Sequence, residues 1–565
     1  MRHSLVVCVA TLLALIPMAA QSPENSEVQA LKAQLTEQQK QIDQLKLALE
    51  DQKKLIERSM KTAANDDKRE FALPRDKALG EVASTTPYIP PAPAPAPLAM
   101  PVVSASAAQA PTTPPTNPCE AVPDGPAPAF IRLGSTCMVP IGFMDLTAVW
   151  RDKNAGSSMG SNFGSVPFNN TVNGNLSEFR FTPQNSRIGF RFDGDWKGAH
   201  FIGYNEFDFN GTSGSNGIAV SNGAFVPRLR LYWVDVRKGK IEFLAGQSWS
   251  LLTPNRSGLS ALPGNLFYTQ VVDINYMAGL TWTRQPGMRV LFHPSEKVTF
   301  GVSAENPDQY AGGSAGGSGI TLPAALVGLA NTQLDIAQNV SAGQNILTQP
   351  TVAPDIIAKL ALDPSSRFHF EVGGIERNFK TVNPSLLSQH FTATGGGLLV
   401  GLNAEVVKNL RLISTNYWSD GGGRYLFGQA PDLIVRANGT LSLVHSGGTI
   451  DGFEARTWKN NLLLYAYYGG IYIGRDVAID TNGSKVGYGY TGSPNGQNRN
   501  IQEITFGFNQ TIWANPRYGA INAMGQYEWL NRDPWFVALG APKATHDNTI
   551  YFNLRYTLPG SMPPF

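Results

Sequence analysis

The stretch that decides the fold is Ile550–Leu558, IYFNLRYTL. Ile550, Phe552, Leu554, Tyr556 and Leu558 form one unbroken apolar face, while Tyr551, Asn553, Arg555 and Thr557 form the other. Side chains alternate across a strand, so this strand separates two environments. The same pattern fills Arg187–Phe209, RIGFRFDGDWKGAHFIGYNEFDF. There Ile188, Phe190 and Phe192 oppose Arg187, Arg191 and Asp193, and beyond a turn at Asp195–Gly198, Phe201, Phe207 and Phe209 share a face. Further apolar faces are Leu229-Leu231-Trp233, Phe368-Phe370-Val372 and Ile504-Phe506-Phe508. Alternation fits a soluble β-sandwich or the wall of a membrane barrel with lipid outside and water inside.

The rhythm of the connections separates the two. Sixteen alternating segments fall near 140–151, 176–194, 199–210, 227–237, 240–250, 277–292, 297–305, 354–363, 367–380, 396–407, 409–417, 448–458, 461–473, 500–513, 517–530 and 547–558. Short turns at Asp195–Gly198, Lys238-Gly239, Pro294–Glu296, Pro364–Ser366, Lys408, Lys459-Asn460 and Ala514–Pro516 interleave with long loops such as 152–175, 251–276, 306–353, 418–447 and 474–499. Outer-membrane barrels segregate short periplasmic turns from long outer loops, and a sandwich has no reason to. Past the first twenty residues no run of eighteen apolar residues exists for a membrane helix. Residues 131–565 are therefore expected to form an all-β transmembrane barrel of about sixteen antiparallel strands.

The amino-terminal part reads differently. Arg2 and His3, the apolar run Leu5–Ile16 and the small pair Ala19-Ala20 read as a signal peptide over 1–20. Over 21–62, Val28, Leu35, Ile42, Leu49 and Ile56 fall seven apart beside Leu31, Gln38, Leu45, Gln52 and Ser59, the seam of an α-helical coiled coil of two or three strands. Residues 63–130 read as a flexible Ala/Pro-rich linker, whose segment 84–128 holds fourteen prolines and cannot build a packed core. Export places Cys119 and Cys137 in an oxidising compartment, where a disulfide is the leading reading. The expected location is the bacterial outer membrane, with the amino-terminal region in the periplasm.

Several function classes recede. A formal net charge of +2, with no clustered basic face, argues against a nucleic-acid partner. No His or Cys cluster has metal-ligand spacing, and no histidine sits in a Ser or Asp motif, so no metal, cofactor or enzymatic activity is expected. Selectivity would then rest on lumen charges. Parity from the apolar faces turns Arg187, Arg191, Arg228, Arg230, Arg289, Arg411, Arg456 and Arg555 inward, opposite Asp193, Glu206, Asp208, Glu371, Glu454 and Glu503. Residues 131–565 hold 22 Arg, 11 Lys, 18 Asp and 11 Glu, a balance of 33 − 29 = +4. The excess of Arg over Lys points to planar, bidentate carboxylate or phosphate contacts, although pairing with the wall acids would also occupy these arginines. Tyr465, Tyr467, Tyr468 and Tyr472 are assigned to a membrane-interface girdle rather than to a sugar track.

Some stretches carry a family resemblance. Ser186-Arg-Ile-Gly-Phe190, followed by Gly198 and Glu206-Phe-Asp-Phe209, resembles the second and third strands of trimeric bacterial porins. Ala245-Gly-Gln-Ser-Trp249, Arg284-Gln-Pro286 and Ala304-Glu-Asn-Pro307 resemble the DcaP-like branch, which also carries an amino-terminal coiled coil and linker. The resemblance implies a sixteen-stranded barrel, a homotrimer with a three-stranded coiled coil, and uptake of small anions such as dicarboxylates. It also implies that loop 251–276 narrows the pore, making Arg256 and Asp273 constriction candidates. One departure is Phe565, which follows Pro563-Pro564 beyond the last strand instead of ending it. The expected partners are outer-membrane lipid, two further copies, small anionic solutes and, through the amino-terminal region, the cell wall. A sugar-selective or general porin, or an outer membrane–cell wall tether, stand as alternatives.

Overall fold

The structure, a computed structural model, describes residues 130–561 apart from 158, 212–224, 314–316, 337–350, 352, 458 and 516, together with Thr36, Gln39, Lys40, Asp43, Lys46 and Lys54, which are helical. The signal peptide, the rest of the expected coiled coil, the linker before residue 130, Cys119 and Phe565 lie outside the described residues.

Sixteen antiparallel strands close into one barrel: β1 (Thr136–Arg151), β2 (in two pieces, Glu178–Thr182 and Arg187–Trp196), β3 (Ala199–Gly211), β4 (Val226–Lys238), β5 (Ile241–Trp249), β6 (Arg284–Ser295), β7 (Val298–Glu305), β8 (Asp355–Ser365), β9 (Phe368–Val382), β10 (His390–Val407), β11 (Leu410–Asp420), β12 (His445–Thr457), β13 (Leu462–Ile473), β14 (Asn498–Asn515), β15 (Gly519–Pro534) and β16 (Thr545–Thr557). Each strand pairs with its chain neighbours, and β16 pairs back onto β1 from Phe143↔Thr557 to Arg151↔Thr549. Closure leaves no unpaired edge inside the membrane, which is what permits strands to cross it. The expected strand count holds. The sixth strand differs: it begins at Arg284, and residues 277–283 belong to the loop before it.

Local chemistry sets the tight turns. Between β2 and β3, Lys197 and Gly198 both take positive φ, 50° and 75°, the geometry of a two-residue hairpin. The outer face is the apolar one. Ile550, Phe552 and Leu554 on β16 are 49 %, 57 % and 50 % exposed, while the alternating Tyr551 and Asn553 are buried inside. Ile188, Phe368, Ile504, Phe506 and Phe508 also face out.

One expected face is wrong. Leu229 points outward, but Leu231 and Trp233 are buried in the lumen, and Tyr232, Val234 and Val236 take the lipid side. The cause is a bulge: Glu206 pairs with Leu231 and Phe207 with Leu229, leaving Arg230 as the extra residue. An inserted residue flips all that follow it. A second irregularity sits at Gly142, φ 119°, where a Cβ would lie 2.2 Å from the Arg187 carbonyl oxygen, so only glycine fits. Tyr465 and Tyr467 also depart from the girdle assignment, because both are buried in the lumen while Tyr468 and Tyr472 stay outside.

Cys137 is fully buried on β1. After β16 the chain folds back on β1, with the Leu558 amide donating to the Gly142 carbonyl at 3.0 Å and the Gly142 amide to Ser561 Oγ at 2.6 Å. Among the described residues no helix is long and apolar enough to cross a membrane, which says nothing against a barrel.

Phe552→Arg should destabilise the barrel by about 2–4 kcal/mol, measured by urea titration in lipid vesicles.

Candidate functional site

The lumen is shaped by the loop between β5 and β6, residues 250–283. Pairing of β4 with β5 stops at Tyr232↔Gln247, and the Gln247 side-chain amide instead donates to the Arg230 carbonyl at 2.9 Å. Released from β4, the chain turns inward. Inside, it carries buried Leu251, Leu252, Leu259, Leu266, Phe267, Met277 and Leu280.

This loop has little regular structure, a short turn and an Asn255–Leu266 bridge closed by Arg256 N to the Asn265 carbonyl and Phe267 N to the Pro254 carbonyl, so many of its other amides need partners from elsewhere. The inner wall supplies them. Leu251 N donates to Glu305 on β7 at 2.8 Å, and Gly258 N to Asp363 on β8 at 3.1 Å. Asn255 N reaches Glu371 on β9 at 3.1 Å, and Ala278 N reaches Glu503 on β14 at 2.9 Å. Gln270 N donates to the Tyr467 hydroxyl at 3.2 Å and Val272 N to Gln526 at 2.5 Å. Lys359, fully buried on β8, pairs with Glu371 at 2.8 Å and donates to the Thr253 carbonyl at 2.7 Å.

Arg256 and Asp273 both lie on this loop, and each is tied to the wall. Arg256 grips Glu454 on β12 with two bonds, 2.6 and 2.9 Å, and lies over Phe267. Glu454 thereby holds Arg256 above its ordinary basicity against the opposing effect of burial. Asp273 accepts from Tyr551 on β16 at 3.0 Å and from Ser161 N at 2.8 Å. Rings fix the two roots of the loop: Tyr268 stacks on Tyr276 at 5.1 Å, Trp249 meets Trp282 at 5.2 Å, and Trp282 stacks on Phe427 at 4.6 Å.

The expected lumen arginines occupy distinct surroundings. On the side formed by β16, β2 and β4, Arg187 sits 3.6 Å from Glu206, Arg191 pairs with Asp193 at 2.6 Å, and Arg555 with Asp145 at 3.0 Å. Arg228 and Arg230 share Asp208, at 2.7 and 2.6 Å, and Arg230 also reaches Glu206. Of these, the Arg228 side chain is the most open, at 37 %, and Arg230 is closed, at 4 %. Arg289 is buried and donates to Ser248 Oγ at 2.9 Å. Arg411 donates to Asn403 at 2.8 Å, and Arg456 is exposed. The structure thus gathers Arg187, Arg228 and Arg230 around Glu206 and Asp208, and leaves Arg289, Arg411 and Arg456 apart from them.

Parity reasoning missed Arg284, whose guanidinium lies 5.5 Å from the Trp249 ring centre. It also missed Arg377, fully buried on β9 and bonded to Asp432 at 2.7 Å and Asp355 at 3.1 Å. Arg377 ties loop 421–444 to the wall and donates to the Asp308 carbonyl at 2.6 Å. Beside it Arg424 faces Asp308 at 3.8 Å. Near that cluster burial first, and the Asp308 carboxylate second, push Asp335 up to about 6. Among the described residues no group of His, Cys, Asp and Glu is arranged to hold a metal ion.

A closed sixteen-stranded barrel with a loop tied across its lumen is the fold of an outer-membrane channel. The chain superposes on the outer membrane channel DcaP of Acinetobacter baumannii with a TM-score of 0.54 at 17% identity, covering 76% of this chain and 99% of that one. The anion-selective porin from Comamonas acidovorans scores 0.40 at 12% identity (75% and 99% covered), and OmpT of Vibrio cholerae 0.40 at 9% (76% and 100%). No protein-family model and no curated protein matches the chain.

Two outcomes follow. Glu454→Gln removes the charge that holds Arg256, and should raise single-channel conductance and current noise in planar bilayers as the loop loosens. Because the Asp335 pKa is raised, its charge works against local packing above about pH 6, and proton uptake relieves this below it and favours the folded form. Loop cleavage by added protease should therefore slow between pH 7.5 and pH 5, and Asp335→Asn should flatten that difference.

Proposed function

We propose that this chain is an outer-membrane porin for passive diffusion of small hydrophilic solutes, favouring small anions such as dicarboxylates. The observation that carries the reading is a division of charge inside the barrel. Glu305, Asp363, Glu371, Glu454 and Glu503 are engaged by the inner loop through its amides or Arg256. Arg191, Arg228 and Arg555 keep 20–37 % of their side chains open on the opposite wall. A passing solute meets guanidinium groups while many of the acids face protein, and low-dielectric walls strengthen the resulting field. The likeness in fold to an outer membrane channel supports the channel part of this reading.

The chain acts as a homotrimer in the outer membrane, with residues 21–62 as a periplasmic coiled coil, 63–130 as a linker and a Cys119–Cys137 disulfide. A tether to the cell wall is compatible with transport: deletion of 21–128 that spares conductance but weakens the envelope would establish it as a second role. A sugar track is less well supported, because Tyr465 and Tyr467 stack on each other at 5.4 Å and bond to Gln526 and Glu454 instead of facing open lumen.

Reversal potentials across a KCl gradient test the reading: chloride should permeate better than potassium, and cation selectivity would overturn it. Arg187→Glu combined with Arg191→Glu should lower the anion preference, and unchanged selectivity would leave those two residues only a bracing role.

A further inference from the structure

We infer that Arg284, acting with Arg228, is the docking point for the oxyanion head of the transported solute. This rests on the channel reading above and adds to it a specific residue pair at the root of the inner loop.

Arg284 opens β6 opposite Trp249, the last residue of β5. Its guanidinium and that of Arg230 lie 5.5 and 5.9 Å from the centre of the same indole ring, so two cations flank one aromatic side chain. Arg230 and Arg228 are in turn joined through Asp208. Around this knot stand Arg187, Arg228, Arg230 and Arg284 against Glu206 and Asp208, an excess of 4 − 2 = +2.

The excess has an identifiable owner. Arg187, Arg228 and Arg230 each have a carboxylate within 3.6 Å. Arg284 has none among the described residues, and its Nε is shielded from solvent without a hydrogen-bond partner. The undescribed segments between 130 and 561 contain no Asp or Glu, so they hold no carboxylate that could complete it. A guanidinium left in this state retains its fork of donors for a ligand, and carboxylate or phosphate matches that fork with two parallel bonds. Trp249 is itself buried and bonded into the ring cluster, so the guanidinium it supports is held in place before a solute arrives. Arg228 donates through Nε and Nη2 to Asp208 and has its side chain partly open, which offers a second cation on the lumen side.

The test uses the full-length protein in planar bilayers, with malonate or inorganic phosphate titrated against the chloride current. Arg284→Gln should raise the half-blocking concentration of both probes about tenfold, the loss expected for a charge-assisted contact. It should leave the heat-modifiable gel shift of the folded barrel unchanged. Arg284→Lys, which keeps the charge without the fork, should restore chloride preference and only part of the affinity. Unchanged affinity in Arg284→Gln, in a channel that is otherwise anion-selective, overturns this inference alone. Cation selectivity of the unaltered channel overturns the functional reading instead. A drop in the dissociation temperature of an oligomer, with affinity unchanged, would mean that a second copy supplies the missing carboxylate, and would also overturn it.

Discussion

A thirty-odd-residue loop inside a barrel must find partners for its backbone, and that requirement organises this lumen. Unpaired amides in a closed interior cost more than most side-chain interactions return. Carboxylates are the strongest acceptors available for them, and a charge-assisted bond is roughly twice as strong as a neutral one. Glu305, Asp363, Glu371 and Glu503, each from a different strand, therefore fix the loop at separated points. The arrangement is costly to break. Removing the Glu371 carboxylate, for example, would leave Lys359 buried without its ion partner, a defect of about 3–5 kcal/mol.

Electrostatic character then follows from position rather than from composition. The barrel region carries only +4 by count. An acid that accepts two bonds from buried protein groups contributes little to the field a solute crosses, whereas an arginine with an open side chain contributes much. The same count distributed differently would give another lumen field. Bulges take part in this. Because Arg230 is the extra residue of its strand, it and Leu231 both turn inward, and the guanidinium reaches Glu206 and Asp208 together.

Much of this was legible in the sequence, and the failures have physical causes. Strand number and most boundaries followed from alternation and loop rhythm, both set by backbone geometry and membrane thickness. Leu231 and Trp233 were misplaced because a bulge is invisible to a period-two rule. Residues 277–283 read as strand because an apolar loop packed in a lumen has the composition of a strand packed in a wall. Tyr465 and Tyr467 were misread because their partners, Gln526 and Glu454, lie 61 and 13 residues away. Arg284 belongs to the short motif Arg284-Gln-Pro286, in which nothing marks it as a site. Its importance lies in the carboxylate it lacks, and an absence of that kind appears only in three dimensions.

The inner loop also explains why aromatic residues collect on the wrong side of the wall for a membrane protein. Interface girdles place Trp and Tyr outward, yet Tyr204, Trp233, Trp249, Tyr276 and Trp282 are all buried within. Hydrogen bonds to wall acids set where the loop runs, but amide bonds alone leave its two roots free to hinge. Stacked rings remove that freedom, since large flat side chains fill space with few rotatable bonds. Tyr204 lies parallel to Trp233 at 5.1 Å on the wall, and the Trp249–Tyr276–Trp282–Phe427 group locks the entry and exit of the loop against each other. The guanidinium groups of Arg230 and Arg284 rest on that rigid surface. A guanidinium set against a packed ring keeps its position, because the ring it rests on has little freedom to move.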